Sequence, residues 1–146
     1  MNIALLEDDT ANLEYLVTLL QFKGHLVFPH ADAASFLDTL WATTQGNGLI
    51  PFRITIDLAI LDLLLPSPLS GLDILRTLRE TEAPFSNLPI IVISGAGQSI
   101  LDDVHTQFPT VPVLRKPFQM SELLSLIDLI VINREASPLA KARKFT

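Results

Sequence analysis

Carboxylic acids follow directly after two short apolar runs of the sequence. Glu7, Asp8 and Asp9 come after the first run, and Asp62 comes at the end of a later one. Carboxylates held close together repel one another, so they need protonation or a neutralising cation. Mg²⁺ suits such oxygen donors, since it is bound by one or two carboxylates, a backbone carbonyl and several waters. The pattern therefore predicts a hard-cation site.

A hydroxyl group and an ammonium group follow two further apolar runs, as Ser94 and Lys116. A divalent cation screens a phosphoryl group that approaches an anionic nucleophile such as Asp62. Lysine and hydroxyl side chains donate hydrogen bonds to phosphoryl oxygens. Together these residue types predict the formation of an aspartyl phosphate.

Five apolar runs, each followed by a stretch with helical spacing of apolar residues, must position these groups. The predicted strands are Ile3–Leu6, His25–Pro29, Asp57–Leu61, Leu88–Ser94 and Val111–Arg115. The predicted helices are Thr10–Lys23, Asp32–Trp41, Gly71–Glu80, Gly97–Phe108 and Ser121–Arg134. Continuously apolar strands are typical of a parallel sheet buried on both faces. The prediction is a doubly wound (βα)₅ flavodoxin-like α/β fold with helices on both faces, whose ligands bind beyond the carboxyl ends of the strands.

The composition excludes several classes of protein. A chain of 146 residues, 49% of them hydrophobic and 18% charged, is long and apolar enough for one folded domain. The absence of cysteine excludes disulfides, thiolate zinc sites and cysteine nucleophiles. A net charge of −6 disfavours non-specific nucleic-acid binding. No basic targeting segment and no membrane-spanning apolar stretch is found, so the sequence predicts a soluble cytoplasmic protein.

Five segments, in order along the chain, resemble the receiver domain of two-component response regulators. They are Leu5–Asp9, Ile60–Pro66, Gly71–Leu75, Ile90–Ala96 and Arg115–Phe118. The resemblance covers residues 2–133, nearly the whole chain. We therefore expect a stand-alone receiver domain at residues 1–133, followed by a basic, flexible tail at residues 134–146.

The resemblance implies a role for each acid of the predicted site. Asp62 matches the phospho-acceptor and also a metal ligand. Asp8 matches the direct ligand of Mg²⁺ (or Mn²⁺), and Glu7 the neighbouring acid that acts through a bound water. Leu64 would offer its backbone carbonyl to the metal, which leaves its side chain free to vary.

The resemblance also assigns the residues that respond to phosphorylation. Ser94 matches the switch hydroxyl, and Lys116 the lysine that pairs with the phosphoryl group. Val113 occupies the switch position that usually holds an aromatic residue, so the usual coupling would be altered. Leu64 and Ala96 are apolar at positions that influence attack by water, which predicts slow self-dephosphorylation. The loop before the third strand, residues 43–55, is longer than in most members of the family.

The implied function is Mg²⁺-dependent transfer of a phosphoryl group from a histidine kinase or phosphotransfer protein to Asp62. Phosphorylation would switch partner binding or dimerisation, and the chain would catalyse only its own phosphorylation and dephosphorylation. The alternative is a degenerate receiver that binds a partner constitutively, supported only by Val113. A haloacid-dehalogenase-type phosphatase is disfavoured, because such enzymes have a second acid where this chain has Leu64.

The last predicted helix carries more apolar residues than one buried stripe needs. A stripe of about 100° suffices to cover a sheet. Leu123, Ile127, Ile130 and Val131 fill such a stripe, which leaves Leu126, Leu129 or Ile132 outside it. We therefore expect a homodimer through the face of the fourth and fifth helices. Binding of DNA is not expected, because too few residues follow the last helix for a helix-turn-helix module.

Overall fold

The computed structural model describes residues 1–42, 55–66, 69–80 and 85–136. The strands are β1 (Asn2–Leu6), β2 (Leu26–His30), β3 (Leu58–Asp62), β4 (Ile90–Ser94) and β5 (Val113–Arg115). The helices are α1 (Thr10–Phe22), α2 (Ala33–Ala42), α3 (Gly71–Glu80), α4 (Gln98–Gln107) and α5 (Met120–Ala136), with a 3₁₀ helix Phe85–Asn87 before β4. The predicted alternation of strands and helices is confirmed. The predicted loop at residues 43–55 lies outside the described residues except for Thr55.

The five strands form one sheet in the order β2-β1-β3-β4-β5, and all four pairings are parallel. In the register, Leu6 of β1 lies opposite Leu61 of β3. The next residues, Glu7 and Asp62, therefore leave the sheet side by side. On the other side of β3, Ser94 of β4 pairs with Arg115 of β5, one residue before Lys116. The doubly wound α/β fold is confirmed, and its register sets the spacing of the predicted site.

Each face of the sheet is covered by its own apolar cluster. Side chains alternate along a strand, so Ala4 and Leu6 face one side of β1 while Ile3 and Leu5 face the other. The first cluster includes buried residues of α2, α3 and α4, and the second includes buried residues of α1 and α5. Burial on both faces explains why the strands read as continuous apolar runs.

The last helix is longer than predicted. α5 ends at Ala136, so the first residues of the predicted tail are helical. Arg134 lies on this last turn and forms an ion pair with Asp57, just before β3. Residues 137–146 lie outside the described part of the chain, and the domain boundary at residue 133 stays a prediction.

The outer side of α5 exposes large apolar side chains. Leu129 is 55% exposed and Ile132 is 60% exposed, whereas Leu123 and Ile127 are buried against the sheet. The sequence pattern of α5 is thus explained in part by burial, and two apolar side chains remain on the surface. Within the described ranges, no helix combines the length and apolar character needed to cross a membrane.

Candidate functional site

The carboxyl ends of β1, β3 and β5 bring three charged groups into direct contact. The Lys116 Nζ lies 2.9 Å from Asp62 Oδ2, and 3.2 and 3.0 Å from the two Glu7 carboxylate oxygens. Glu7 and Asp62 are almost fully buried, at 1% and 3% exposure. One ammonium group therefore bridges two buried carboxylates and reduces their mutual repulsion, but it balances the charge of only one of them.

Asp8 adds a third carboxylate to this edge. Glu7, Asp8 and Asp62 each offer an oxygen atom, and these atoms all lie within 4.8 Å of one another. Asp8 is exposed to solvent, unlike the other two acids. An all-oxygen donor set, open to water on one side, has the chemistry that Mg²⁺ requires. These three residues could hold such an ion.

Asp9, the third acid after β1, caps a helix and is not part of the carboxylate cluster. Its side chain accepts a hydrogen bond from the Asn12 N–H at 2.9 Å and caps the N-terminus of α1. An N-cap oxygen satisfies one of the free N–H groups of the first helical turn. The three consecutive acids are therefore divided between the cluster and the helix cap.

The buried environment shifts the ionisation of Glu7 and Lys116. Burial raises the pKa of Glu7, and the nearby charge of Asp62 acts in the same direction, while the hydrogen bond from Lys116 opposes both. Burial alone would lower the pKa of Lys116, but its hydrogen bonds to Asp62 and Glu7 outweigh this effect and raise it. Lys116 is thus held in its charged form, and Glu7 accepts a proton more readily than an exposed glutamate.

The segment after β3 is tied to the carboxylate of Asp62. The Leu64 N–H donates a hydrogen bond to Asp62 Oδ1 at 2.9 Å, so the second oxygen of this carboxylate is also occupied. Leu64 is 48% exposed, and its backbone N–H is the group that contacts the carboxylate. An apolar side chain here offers no hydrogen bond to a water molecule at this edge.

Ser94 ends β4 as a fully buried residue. Its Oγ accepts a hydrogen bond from the Ala96 N–H at 2.9 Å, and its carbonyl oxygen accepts one from the Lys116 N–H at 2.7 Å. Val113 begins β5 and packs against the apolar cluster on the α4 side of the sheet. The structure thus brings Glu7, Asp62 and Lys116 into contact, whereas the Ser94 hydroxyl is bonded within its own loop and Val113 is partly buried against the core.

A cleft of about 530 Å³ opens beside Lys116, between α1 and the start of α5, and sequence reasoning did not find it. Its lining residues are Glu7, Asn12, Tyr15, Leu16, Ile93, Lys116, Pro117, Phe118 and Met120. No local pattern could reveal it, because it depends on how two helices far apart in sequence pack on one face. The 59% exposure of Tyr15 fits a position at the cleft wall.

Comparison with known proteins agrees with this geometry. Residues 3–128 match the response regulator receiver domain family. The transcriptional regulatory protein FixJ of Bradyrhizobium diazoefficiens is 28% identical over 97% of this chain and 60% of its own length. The response regulator protein TodT of Pseudomonas putida is 33% identical over 86% of this chain and 48% of its own length. The chain therefore spans between 48% and 60% of the length of these curated relatives.

Solved structures support the same assignment. A response regulator receiver protein from Pseudomonas putida has a TM-score of 0.67 and 29% identity, with 87% of this chain and 94% of that chain covered. Receiver domains use Mg²⁺ and interact with histidine kinases or phosphotransfer proteins, and they are not generally conventional enzymes. Phosphorylation-based signalling is the role of these domains, and nothing in the comparisons favours a degenerate member. The chain belongs to the response regulator receiver domain family of two-component signalling.

Proposed function

We propose that the chain is a phospho-accepting receiver in which Asp62 takes a phosphoryl group from a histidine kinase or phosphotransfer protein. The observation that carries this proposal is the contact of Lys116 Nζ with Asp62 Oδ2 at 2.9 Å, beside two further acids. A structural ion pair needs one carboxylate for one ammonium. Three carboxylates around one lysine leave negative charge that suits a cation and a phosphoryl group.

The proposed step joins an Asp62 carboxylate oxygen to phosphorus while the phosphorus–nitrogen bond of a phosphohistidine breaks. The electron pair of that bond stays on the imidazole nitrogen. Since the ring carries a proton on its other nitrogen, it leaves as neutral imidazole. Asp62 becomes an acyl phosphate, and no proton has to be removed from it because the carboxylate is the nucleophile. The chain would thus catalyse only its own phosphorylation and dephosphorylation.

Four groups of the chain would hold Mg²⁺ in this scheme: the carboxylates of Asp8 and Asp62, the backbone carbonyl of Leu64, and Glu7 through a water. When bound, Mg²⁺ supplies positive charge that reduces the repulsion between carboxylates and phosphoryl oxygens. Lys116 would exchange its contact with Asp62 Oδ2 for a phosphoryl oxygen while it keeps Glu7. Its raised pKa supports this role, because the ammonium stays charged throughout.

Ser94 is the group that would respond to the phosphoryl group. Its hydroxyl accepts the Ala96 N–H hydrogen bond, so its own proton is free to turn towards a new acceptor. The response at Val113 would be a small shift of an aliphatic side chain rather than the turn of a ring. We therefore expect a switch that acts mainly through the Ser94 loop and α4.

The test is incubation with Mg²⁺ and acetyl phosphate followed by mass spectrometry of the intact protein. We expect one added phosphoryl mass on the wild-type protein and none on Asp62→Asn. Asp57→Asn is the matched control, because Asp57 is partly buried at the opposite end of the same strand. Absence of the adduct in wild-type protein, or its persistence in Asp62→Asn, would contradict the proposal.

Slow loss of the phosphoryl group follows from the apolar neighbours of Asp62. Leu64 contacts the carboxylate through its backbone N–H, and Ala96 is 4% exposed, so neither side chain offers a hydrogen bond that would orient a water. A time course of phosphate release from the phosphorylated protein tests this. A half-life of only seconds would overturn the expectation.

A second copy of the chain is the partner that we propose for the face of α4 and α5. Leu129 and Ile132 support this, since both are more than half exposed on α5. The test is analytical ultracentrifugation of the wild-type protein and of Leu129→Ser, each with and without phosphorylation. A concentration-independent monomer mass for the wild type would contradict the proposed dimer. The absence of a DNA partner, the domain boundary at residue 133 and the cytoplasmic location stay predictions from the sequence.

A further inference from the structure

Gly71, the first residue of α3, lies directly against the backbone that carries the phospho-acceptor. A Cβ added at Gly71 would lie 2.2 Å from the Asp62 carbonyl oxygen and 2.5 Å from the Leu63 Cα. The Gly71 N–H donates a hydrogen bond to the Leu63 carbonyl oxygen at 3.1 Å. Because the opposing atoms are backbone, they cannot rotate away as a flexible side chain could. Only glycine allows this approach.

The start of α3 is fixed by its own side chains. Ser70 Oγ accepts a hydrogen bond from the Asp73 N–H at 3.1 Å, and Asp73 Oδ2 accepts hydrogen bonds from the Ser70 N–H at 3.1 Å and its hydroxyl at 2.9 Å. This is a reciprocal cap of the kind that holds a helix N-terminus in place. Gly71 is therefore pressed against β3 by a helix end that cannot easily shift.

The residues after Asp62 are consequently held from three directions. The Leu63 N–H donates to the Ile93 carbonyl oxygen of β4 at 3.3 Å, and the Leu64 N–H donates to Asp62 Oδ1 at 2.9 Å. Gly71 supplies the third contact, from the side of α3. These contacts together set the direction of the peptide unit that follows Asp62, and with it the Leu64 carbonyl.

We propose that Gly71 is a positioning residue for the metal site. Its contact with Asp62 and Leu63 holds the Asp62 carboxylate and the Leu64 carbonyl in the arrangement that a divalent cation needs. An alanine would push the backbone after Asp62 away from α3 by several tenths of an ångström or more. The inference rests on the proposed function, because it assumes that these groups bind Mg²⁺.

The test compares Gly71→Ala with two controls by isothermal titration with Mg²⁺ and by urea unfolding. In Gly95→Ala, also beside the site, the added Cβ meets only Lys116 Cβ at 3.9 Å, an ordinary contact. Ile74→Val removes one buried methyl group from the same helix, which lowers the urea midpoint without changing a residue of the site. Loss of a group that orients metal ligands typically costs about 10-fold or more in affinity, and we expect this for Gly71→Ala. Both controls should keep the wild-type Kd.

The inference would be overturned if Gly71→Ala bound Mg²⁺ with the wild-type Kd. It would also be overturned if Ile74→Val raised the Kd as much as Gly71→Ala does, because the effect would then be merely structural. If Gly71→Ala does not fold, Ser70→Ala replaces it, since it loosens the cap without adding bulk. Ser70→Ala should raise the Kd for Mg²⁺ in the same direction but less, and an unchanged Kd would overturn the inference. Failure of the proposed function is separate: wild-type protein would then bind Mg²⁺ but form no phosphoryl adduct.

Discussion

Replacing Lys116 with methionine removes the one ammonium group that contacts both Glu7 and Asp62. Methionine keeps most of the length and apolar stem of lysine, so packing around the stem is largely retained. Two buried carboxylates would then face each other without a cation. Breaking a buried ion pair by removing one partner is strongly destabilising, by about 3 to 5 kcal/mol.

The size of the effect can be worked out from the geometry. The Coulomb attraction between Lys116 and either carboxylate, at a distance of about 3.0 Å, is roughly 5 kcal/mol at an effective dielectric constant of 20. The loss is limited, however, because Glu7 can take a proton, and burial already raises its pKa. Holding Glu7 protonated costs about 1.4 kcal/mol for each pH unit above its ordinary pKa. The expected loss is thus about 4 kcal/mol near pH 7.5 and about 1 kcal/mol near pH 5.

The sign follows from the protons bound in each state. Glu7 of the variant has a folded-state pKa above its unfolded-state pKa, so stability is fully present below the unfolded value and is lost as pH rises through the folded one. Urea unfolding of wild type and Lys116→Met at several pH values, with EDTA present, measures this difference. Arg115→Met is the matched control, because the neighbouring Arg115 is exposed and bonds only to Gln98 among the described residues.

A stability difference between wild type and Lys116→Met that does not change with pH would refute this reasoning. It would mean that Glu7 does not take up the proton when Lys116 is lost. A difference as small as that of Arg115→Met at every pH would refute the burial argument itself. Addition of Mg²⁺ should reduce the destabilisation of Lys116→Met, because a second source of positive charge becomes available at the same carboxylates.

Three further outcomes are expected from residues outside the site. Arg79 Nη1 donates hydrogen bonds to the carbonyl oxygens of Phe85, Ser86 and Leu88, in the 3₁₀ helix and directly after it. Urea unfolding should therefore show a loss of about 2 kcal/mol for Arg79→Met. The loss should be much smaller for Arg76→Met, because the partners of Arg76 are exposed. Burial lowers the pKa of His30, whose Nε2 is buried and has no hydrogen-bond partner among the described residues. The free energy of unfolding should therefore fall as the pH drops below about 6.5. In urea titrations, His30→Gln should make this pH dependence weaker. Arg134→Ala should cost at most about 1 kcal/mol, because its ion pair is partly exposed, and a larger loss in thermal unfolding would indicate a packing role.

The fold could be predicted from the sequence because its strands are buried on both faces. Continuous apolar runs locate such strands to within two residues at each end, and the acids that follow them then fall at one edge of the sheet. Glu7 and Asp62 were placed together for this reason, and the register explains their contact with Lys116. The prediction rested on the spacing of apolar residues and on the order of the segments along the chain, both of which can be read from the sequence.

Contacts between distant segments could not be predicted in the same way. The sequence marked Gly71 as the start of a helix and of a family segment, but not as a contact of Asp62, because this close approach depends on how α3 packs back against β3. The predicted end of α5 is two residues too early, because the ion pair of Arg134 with Asp57 joins residues that are far apart in the sequence. The resemblance assigned Asp8 to the metal, whereas the cap of α1 by Asp9 depends on a hydrogen bond to Asn12 that only the structure shows.

The contact of Lys116 with Glu7 and Asp62 has a consequence for the order in which the protein is made. The two acids leave the ribosome first, and their cation follows 109 residues after Glu7 and 54 residues after Asp62. Until β5 joins the sheet, the emerging chain carries an unneutralised pair of acids at the edge where β1 and β3 meet. Contacts this far apart in sequence form late in folding. The charged cluster is therefore complete only once nearly the whole domain has been synthesised, so a chain truncated before β5 would lack the cation that contacts Glu7 and Asp62.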